Sequence, residues 1–158
     1  LFSNTAAGSL LQINVANVEI LGTLNVGNLS LGGTGASGGL GNTIVLQSYR
    51  EHYEEDNSVT GTKTLDLSLS NWFVCTLTGS TTFTFTNAAT NNVHSFSVVV
   101  IQGGSAGYTP SWANTVKWAG GQTPPPTTTA VGNTDIWQFT TYNNGTSYIG
   151  TLSVKDAY

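Results

Sequence analysis

The sequence has very few charged residues. Only 12 of its 158 residues are Asp, Glu, Lys or Arg, or 8%, against roughly 25% in an average globular domain. The four basic residues are widely scattered, so they do not form the cluster of Lys and Arg that nucleic-acid binding requires. The polar surface must then consist mainly of Thr, Ser, Asn and Gly, and Thr alone occurs 25 times. We therefore expect no nucleic-acid partner.

Cysteine and long apolar runs are also scarce. The single cysteine, Cys75, excludes an internal disulfide framework and a zinc site built from several thiolates. It lies in "NWFVCTLTG", an apolar strand pattern in which a free cysteine is expected to act as a small buried hydrophobe. No apolar run approaches 18 residues, so we expect no membrane insertion.

Period-two alternation replaces helical periodicity along most of the chain. It recurs in "TLDLSLS", "FVCTLTG", "TTFTFT", "HSFSVVVI", "TDIWQFTTY" and "TSYIGTLSV". The last two runs are separated by "NNG" at 143–145, which predicts a hairpin with a type I′ turn. Turn clusters every eight to twelve residues are typical of a sandwich or barrel. We predict an all-β fold without long helices, in which an antiparallel β-sandwich or jelly-roll-like head occupies 43–158.

The N-terminal segment, 1–42, has a different pattern. "SLLQINVANVEILGTLNVGNLSLGG" consists of apolar alternations two to four residues long with Asn or Gly between them. Strands this short bury little alone, but three copies wound about one axis would hide their apolar residues from water. We predict a trimeric stalk with an interface that includes Leu24, Val26, Leu29 and Leu31. Six glycines between Gly32 and Gly41 would form a joint where three backbones approach closely.

Few residues suggest catalysis or cofactor binding. Gly33–Gly38 spells G-x-G-x-x-G, but "GLGNTIVLQ" follows instead of the helix that a dinucleotide site requires. His52 and His94 stand 42 residues apart with no ligand-spaced neighbour, and no Ser, Cys or zinc-protease motif occurs. We predict no catalytic residues, no cofactor and no enzymatic activity.

The acidic block at 49–57, "YREHYEEDN", admits two interpretations. It contains five of the twelve charged residues, and its carboxylates at 51–56 could hold a hard cation. However, it lacks the Asx and Gly spacing of a calcium loop. We favour the interpretation that this block is a solvated strand end and turn, or that it forms salt bridges between chains. We therefore predict no metal site.

Aromatic residues are the remaining candidates for ligand contact. Trp72 and Trp137 lie in strand patterns and are predicted to be core or interface residues. Tyr108 and Trp112 lie in an irregular stretch at 101–129, punctuated by Gly and Pro, and are the predicted exposed binding residues. Three consecutive prolines at 124–126 must be extended and provide no backbone donors, which predicts a rigid loop.

Several of these motifs together resemble a β-domain of tailed-phage fibre and appendage proteins. They are "TLDLSLSNWFVCTLTGSTTFTFTN", "SFSVVVIQ" and "VKWAGGQTPPPTTTAVGNTDIWQFTTYNNGTSYIGTLSVKD", while "LSLGGTGAS" is similar to the Gly-Gly-Thr-Gly-Ala element of phage fibre shafts. The resemblance implies a homotrimer on the virion surface beside neighbouring tail or capsid proteins, with host-surface glycans as a candidate ligand. It implies no catalytic residues.

We therefore predict a non-enzymatic virion structural protein of a tailed phage, a homotrimeric fibre or spike that contacts the host. One alternative is a head fibre or decoration protein attached to the capsid. Another, from a different class, is a carbohydrate-binding module of a secreted enzyme, which should be monomeric and lack a stalk. A depolymerising tailspike is disfavoured because no paired carboxylates are evident and its β-helix catalytic domain needs a far longer chain.

Overall fold

The secondary structure is nearly all β, which confirms the predicted fold class. The computed structural model describes residues 50–105, 107–121 and 123–158. Within these ranges the strands are β1 (Tyr53–Asp66), β2 (Trp72–Thr86), β3 (His94–Gln102), β4 (Pro110–Trp112), β5 (Val116–Trp118), β6 (Thr134–Thr141) and β7 (Tyr148–Ala157), with one 3₁₀ turn at Ala119–Gly121. No helix in these ranges is long and apolar enough to cross a membrane. The predicted stalk and its residues Leu24, Val26, Leu29 and Leu31 lie outside the described residues.

The strands form one mixed sheet, so the prediction of an antiparallel head is wrong. Its order is β1-β2-β3-β6-β7-β5, with β4 beside β2. The β1/β2, β2/β3, β2/β4 and β5/β7 pairs are parallel, and β3/β6 and β6/β7 are antiparallel. Alternation shows which side chains share a face, but it is the same in parallel and antiparallel strands. The pattern therefore predicted strands without fixing their direction.

The predicted hairpin is confirmed between β6 and β7. The amide of Thr146 donates to the carbonyl of Asn143, closing a four-residue turn. Its central residues, Asn144 and Gly145, have φ of 57° and 76°, and positive φ at both positions is what a type I′ turn requires. Here a local sequence signal was sufficient because the turn conformation depends on two adjacent residues.

The long strand β2 bends back on itself. Phe73 and Phe85 are twelve residues apart, which is about 40 Å in a straight strand. Yet both rings contact Phe96 of β3, with centroid distances of 6.3 and 4.9 Å. The parallel pairing with β1 leads to the same conclusion, because Asp66 at the end of β1 is only six residues from Trp72 at the start of β2. The two halves of β2 therefore lie on opposite sides of the core.

Two glycines mark this bend. The β1/β2 register shifts between Asp56 and Gly61, and Gly61 has a φ of 71°, a conformation that is unfavourable for residues with a Cβ. On β2, a Cβ at Gly79 would lie 2.1 Å from Thr60 Oγ1. The bend therefore depends on a left-handed residue in β1 and on a missing side chain in β2.

Aromatic rings fill the space between the two halves of β2. Phe85 has ring-centroid distances of 4.9 Å to Phe139 and 5.0 Å to Tyr148, and all three side chains are buried. Cys75 is also buried, as predicted, and burial raises the pKa of its thiol to about 11. A thiol of that kind remains protonated and unreactive at neutral pH.

Acid should destabilise the fold through two aspartates. A hydrogen bond from Lys63 lowers the pKa of Asp56 below its ordinary value of 3.8, and hydrogen bonds from Ser68 and Asn87 do the same to the pKa of Asp66. A carboxyl group whose pKa is depressed by folding stabilises the fold above its unfolded pKa and loses that contribution as the pH falls through the folded pKa. We expect the free energy of unfolding, measured by urea denaturation, to decrease as the pH is lowered from about 4 to about 2.

The matched variant carries asparagine at both positions, Asp56→Asn with Asp66→Asn. It lacks these two ionisations, so its unfolding free energy should have a shallower slope over the same pH range. An identical slope would contradict the assignment of acid sensitivity to these two carboxylates.

Candidate functional site

Trp112 is placed against the core, so its predicted exposure is wrong. It lies in β4 and not in a loop, because residues 110–112 pair with 81–83 of β2. Its half-buried ring is 5.3 Å from the ring of Phe83 and 4.6 Å from that of Phe139. Tyr108 is also half-buried and packs against the same core. The structure therefore places the two residues at the edge of the core, and their predicted ligand contact stays a prediction.

The position of Tyr108 is fixed by the buried side chain of Gln102. Gln102 Nε2 donates to the carbonyl oxygens of Tyr108, at 2.6 Å, and of Thr128, at 3.1 Å, and its Oε1 accepts from the Tyr108 amide at 3.2 Å. Its backbone amide donates to Asn133 O, and its carbonyl accepts from Gly132 N. Gln102, at the end of β3, thus joins the segments around Tyr108 and Thr128, which belong to the same irregular stretch at 101–129.

Gln102→Glu should be strongly destabilising although it hardly changes the shape of the side chain. It replaces the amide donor with an oxygen that faces the carbonyls of Tyr108 and Thr128, and each unsatisfied buried group costs about 1–3 kcal/mol. We expect the free energy of unfolding to fall by about 2–5 kcal/mol in chemical denaturation. Gln138→Glu, on an exposed position of β6, is the matched control and should change it by less than about 0.5 kcal/mol.

A groove beside Trp118 is a concave site that sequence analysis missed. It has a volume of about 390 Å³ and is lined by Trp118, Ala119, Thr123, Pro125, Gly150, Thr151 and Leu152. The lining comes from the end of β5, the loop with three prolines and the middle of β7. Thr123 and Thr151 are the two polar residues among those just named, and none of the named residues is charged.

The indole of Trp118 has little freedom to move. A Cβ at Gly150 would lie 2.6 Å from Trp118 Cζ3 and 2.8 Å from Cη2, so the ring occupies the space that a side chain at 150 would take. The ring also meets that of Trp137 at a centroid distance of 5.5 Å and an angle of 75°. Because Trp137 is fully buried, the Trp118 ring rests on the core.

The loop opposite Trp118 is fixed at its far end by a buried carboxylate. Asp135 is 1% exposed, and its two oxygens accept from the backbone amides of Thr128, at 2.7 Å, and Asp156, at 3.1 Å. Thr128 also donates its hydroxyl to the carboxylate of Asp156. These bonds hold the segment that follows the prolines against β6 and β7.

A second surface lies on the outer face of the sheet. Tyr53 and Trp72 are directly paired on β1 and β2 and are 54% and 36% exposed. They line a shallow cavity of about 550 Å³ together with Glu51, Val74 and Val99. Trp72 is therefore not a core residue, and its predicted role at an interface stays a prediction. Trp137, in contrast, lies in the core as predicted.

An apolar row extends this second surface across four strands. Val74 pairs with Val99, Val99 with Ile136, and Ile136 with Val154. Directly paired residues point to the same face of a sheet, so the four side chains form a continuous row. Three are half-exposed and Val154 is 38% exposed. We call this row, together with Tyr53 and Trp72, the outer apolar face.

The acidic block lies at the exposed start of β1. The side chains of Glu51 and Glu55 are exposed, and His52 Nε2 is 3.0 Å from Glu54 Oε1. In the part of the chain that the structure describes, no group of three or more His, Cys, Asp or Glu side chains is arranged to hold a metal ion. The second histidine, His94, is hydrogen-bonded to Asn71 through Nε2 and accepts from the Ala89 amide through Nδ1.

Comparisons with known proteins identify no relative: no family model, curated protein or solved structure matches the chain.

Proposed function

We propose that this protein is a non-enzymatic structural protein of a tailed-phage virion. It forms a homotrimeric fibre or spike that contacts the host surface, with 1–42 as the stalk and 43–158 as the head. The resemblance of its motifs to those of phage fibre proteins supports this assignment, and so does a charge-poor, threonine-rich all-β chain. We also propose that the head is a β-sandwich, and the bend in β2, with aromatic rings between its two halves, supports this arrangement.

The outer apolar face is the structural observation that carries the proposal of self-association. Contiguous exposed apolar surface on a soluble protein usually marks an interaction site. This face includes Tyr53, near the N-terminal end of the described residues. Three heads joined by one stalk are held at a high effective concentration, at which a modest apolar patch is sufficient for association.

The edge strand β1 favours association of the three heads through the faces of their sheets over association through this edge. β1 pairs only with β2 among the described strands, and it carries Glu54, Glu55, Asp56 and Lys63. Charged side chains on an edge strand discourage pairing with a strand of another chain. The three heads should therefore meet through side chains of the outer apolar face.

The experiment that tests this function is localisation on the particle combined with a mass measurement. Antibodies raised against 50–158 should label fibres or spikes on intact virions in electron micrographs. Light scattering of the purified full chain should give three times the chain mass of 16.5 kDa. Labelling of the capsid surface would favour the head-decoration alternative, and a soluble monomer absent from particles would contradict the proposal.

The alternative of a secreted carbohydrate-binding module is supported by one observation, the uncharged aromatic groove beside Trp118. Such a module would be a monomer, so the same mass measurement separates the two candidates. Absence of enzymatic activity is tested by incubating host polysaccharide with the protein. Shortened chains, lost in an Asp66→Ala variant, would contradict the non-enzymatic assignment.

A further inference from the structure

We propose that the outer apolar face binds a second copy of this chain through one ion pair, in which Lys117 of one head enters the cavity beside Glu51 of the next. The inference deepens the proposed function and rests on it for the number of chains. It identifies the residues that set the register between neighbouring heads, which the apolar row alone does not define because its side chains are alike.

An acidic side chain lies at the β1 end of the outer apolar face. Glu51 is exposed and lines the cavity of about 550 Å³ together with Tyr53 and Trp72. It also lines a second shallow cavity with Ser95 and Thr140, which are directly paired on β3 and β6. Glu51 therefore stands at one end of the row of outward-facing residues to which Ser95 and Thr140 belong.

A basic side chain stands at the other end of this row. Thr140 pairs with Ile149 of β7, and Ile149 pairs with Lys117 of β5. Directly paired residues point to the same face of a sheet, so Lys117, which is exposed, lies on the outer face. The next residue, Trp118, packs against the core, as alternation along a strand requires. The row thus begins with a carboxylate and ends with an ammonium group.

The two charges cannot meet within one head. β1 and β5 are the first and last of the six strands in the sheet order, and five strand spacings amount to about 24 Å. Neither Glu51 nor Lys117 takes part in an ion pair within the described residues. The face of one head is therefore complementary in charge to the face of another.

Rotation about an axis parallel to the strands brings the complementary ends together. Such a rotation keeps each row at its own height along the axis. Three faces turned toward a common axis place the β1 edge of each head beside the β5 edge of the next. The contact then joins two different parts of the face, as every contact in a closed ring of three must.

The cavity beside Glu51 suits the side chain of a lysine. An ammonium group is attracted to the face of a tryptophan or tyrosine ring, and the exposed side chains of Trp72 and Tyr53 line this cavity. The methylene stem of a lysine can lie on the apolar surface of Val74 and Val99 while its charged end meets the carboxylate.

Lys117 is the basic residue best placed to enter this cavity. Lys63 is already hydrogen-bonded to Asp56, and Arg50 lies at the acidic end of the face. Lys155 lies in the part of β7 where the pairing with β6 is irregular. Lys117 is the one that regular pairing places on the outer face at the edge opposite β1.

The test is cross-linking of the natural full chain with a water-soluble carbodiimide. This reagent joins a carboxylate to an amine that it contacts, forming an amide, and takes up the water as a urea. We expect a covalent trimer on a denaturing gel and, after proteolysis, a peptide in which Lys117 is joined to Glu51. Because the two are about 24 Å apart in one head, that link must join two chains. Cross-links that involve only other residues would overturn the proposal.

Exchange of the two charges provides an independent test. Lys117→Glu places a carboxylate opposite Glu51, and like charges across an interface oppose association. It should lower the urea concentration at which sedimentation shows the trimer half dissociated. Adding Glu51→Lys should restore that concentration. Ser105→Glu with Val131→Glu, at two exposed turn positions, makes the same change in net charge away from the face and should not alter it. An equal loss in this control, or no recovery in the exchanged variant, would contradict the ion pair.

Failure of this contact and failure of the proposed function are distinguishable. A trimer without a link between Lys117 and Glu51 overturns only the contact. A dimer with that link keeps the contact and overturns the trimeric fibre, because two faces packed against each other would join the same ends. A monomer overturns both.

Discussion

Replacing Phe85 with alanine should lower the free energy of unfolding of the head by about 3–5 kcal/mol. Phe85 is buried in the second half of β2, and its ring centroid is within 5.0 Å of those of Phe96, Phe139 and Tyr148. Its removal leaves a cavity between strands that do not adjoin β2 at that point. Because the surrounding rings are rigid and belong to three strands, the cavity will collapse only in part, and the large end of the range applies.

Urea denaturation followed by tryptophan fluorescence is a suitable measurement, since Trp112 is 5.8 Å from Phe85 between ring centroids and will report the loss of the core. Phe85→Leu keeps most of the volume and should cost clearly less than the alanine variant. Val131→Ala, at a site that is 53% exposed, controls for loss of an apolar side chain without a cavity. A loss below about 1 kcal/mol for Phe85→Ala would contradict the folded-back path of β2.

The fold class was predictable from the sequence because it depends on local alternation. Phe96, Val98 and Val100 alternate with smaller or more exposed residues and are all buried in β3. Strand direction was not predictable, since it depends on where each connection crosses the molecule. The bend in β2 was not predictable either. In the sequence, Gly79 is only a residue that weakens a strand, and its role at the bend becomes clear only from its close approach to Thr60 of β1.

The candidate site was predicted less well for a related reason. Tyr108 and Trp112 were selected because they lie in a stretch rich in Gly and Pro, but the side chain of Gln102 and the pairing of β4 with β2 draw that stretch onto the core. The signal for Trp118 was present in "VKWAGG", followed by three prolines. It could not be recognised as a groove because the other wall, Gly150 to Leu152, begins 32 residues after Trp118 in the chain.

The largest effect is expected in the proposed stalk, where Leu29→Asp combined with Leu31→Asp should dissociate the trimer. Each large aliphatic side chain contributes roughly 1.5–3 kcal/mol when fully buried. Leu24, Val26, Leu29 and Leu31 in three chains therefore represent a gross term on the order of 20–35 kcal/mol, opposed by the entropy of ordering a glycine-rich segment. The double variant removes half of these side chains and places six carboxylates close to one axis, where neither desolvation nor mutual repulsion is compensated.

The matched control adds the same charge to the other side of the strands. Asn28 and Ser30 alternate with Leu29 and Leu31, so in the proposed stalk we expect their side chains to point away from the axis. Asn28→Asp with Ser30→Asp should keep the trimer, whereas the leucine variant should sediment with the 16.5 kDa mass of one chain. The head should stay folded in both, because β1 to β7 have their own aromatic core, and the circular dichroism of 50–158 should be retained. A trimer that survives the leucine variant, or that dissociates equally in the control, would show that these alternating residues do not form the interface.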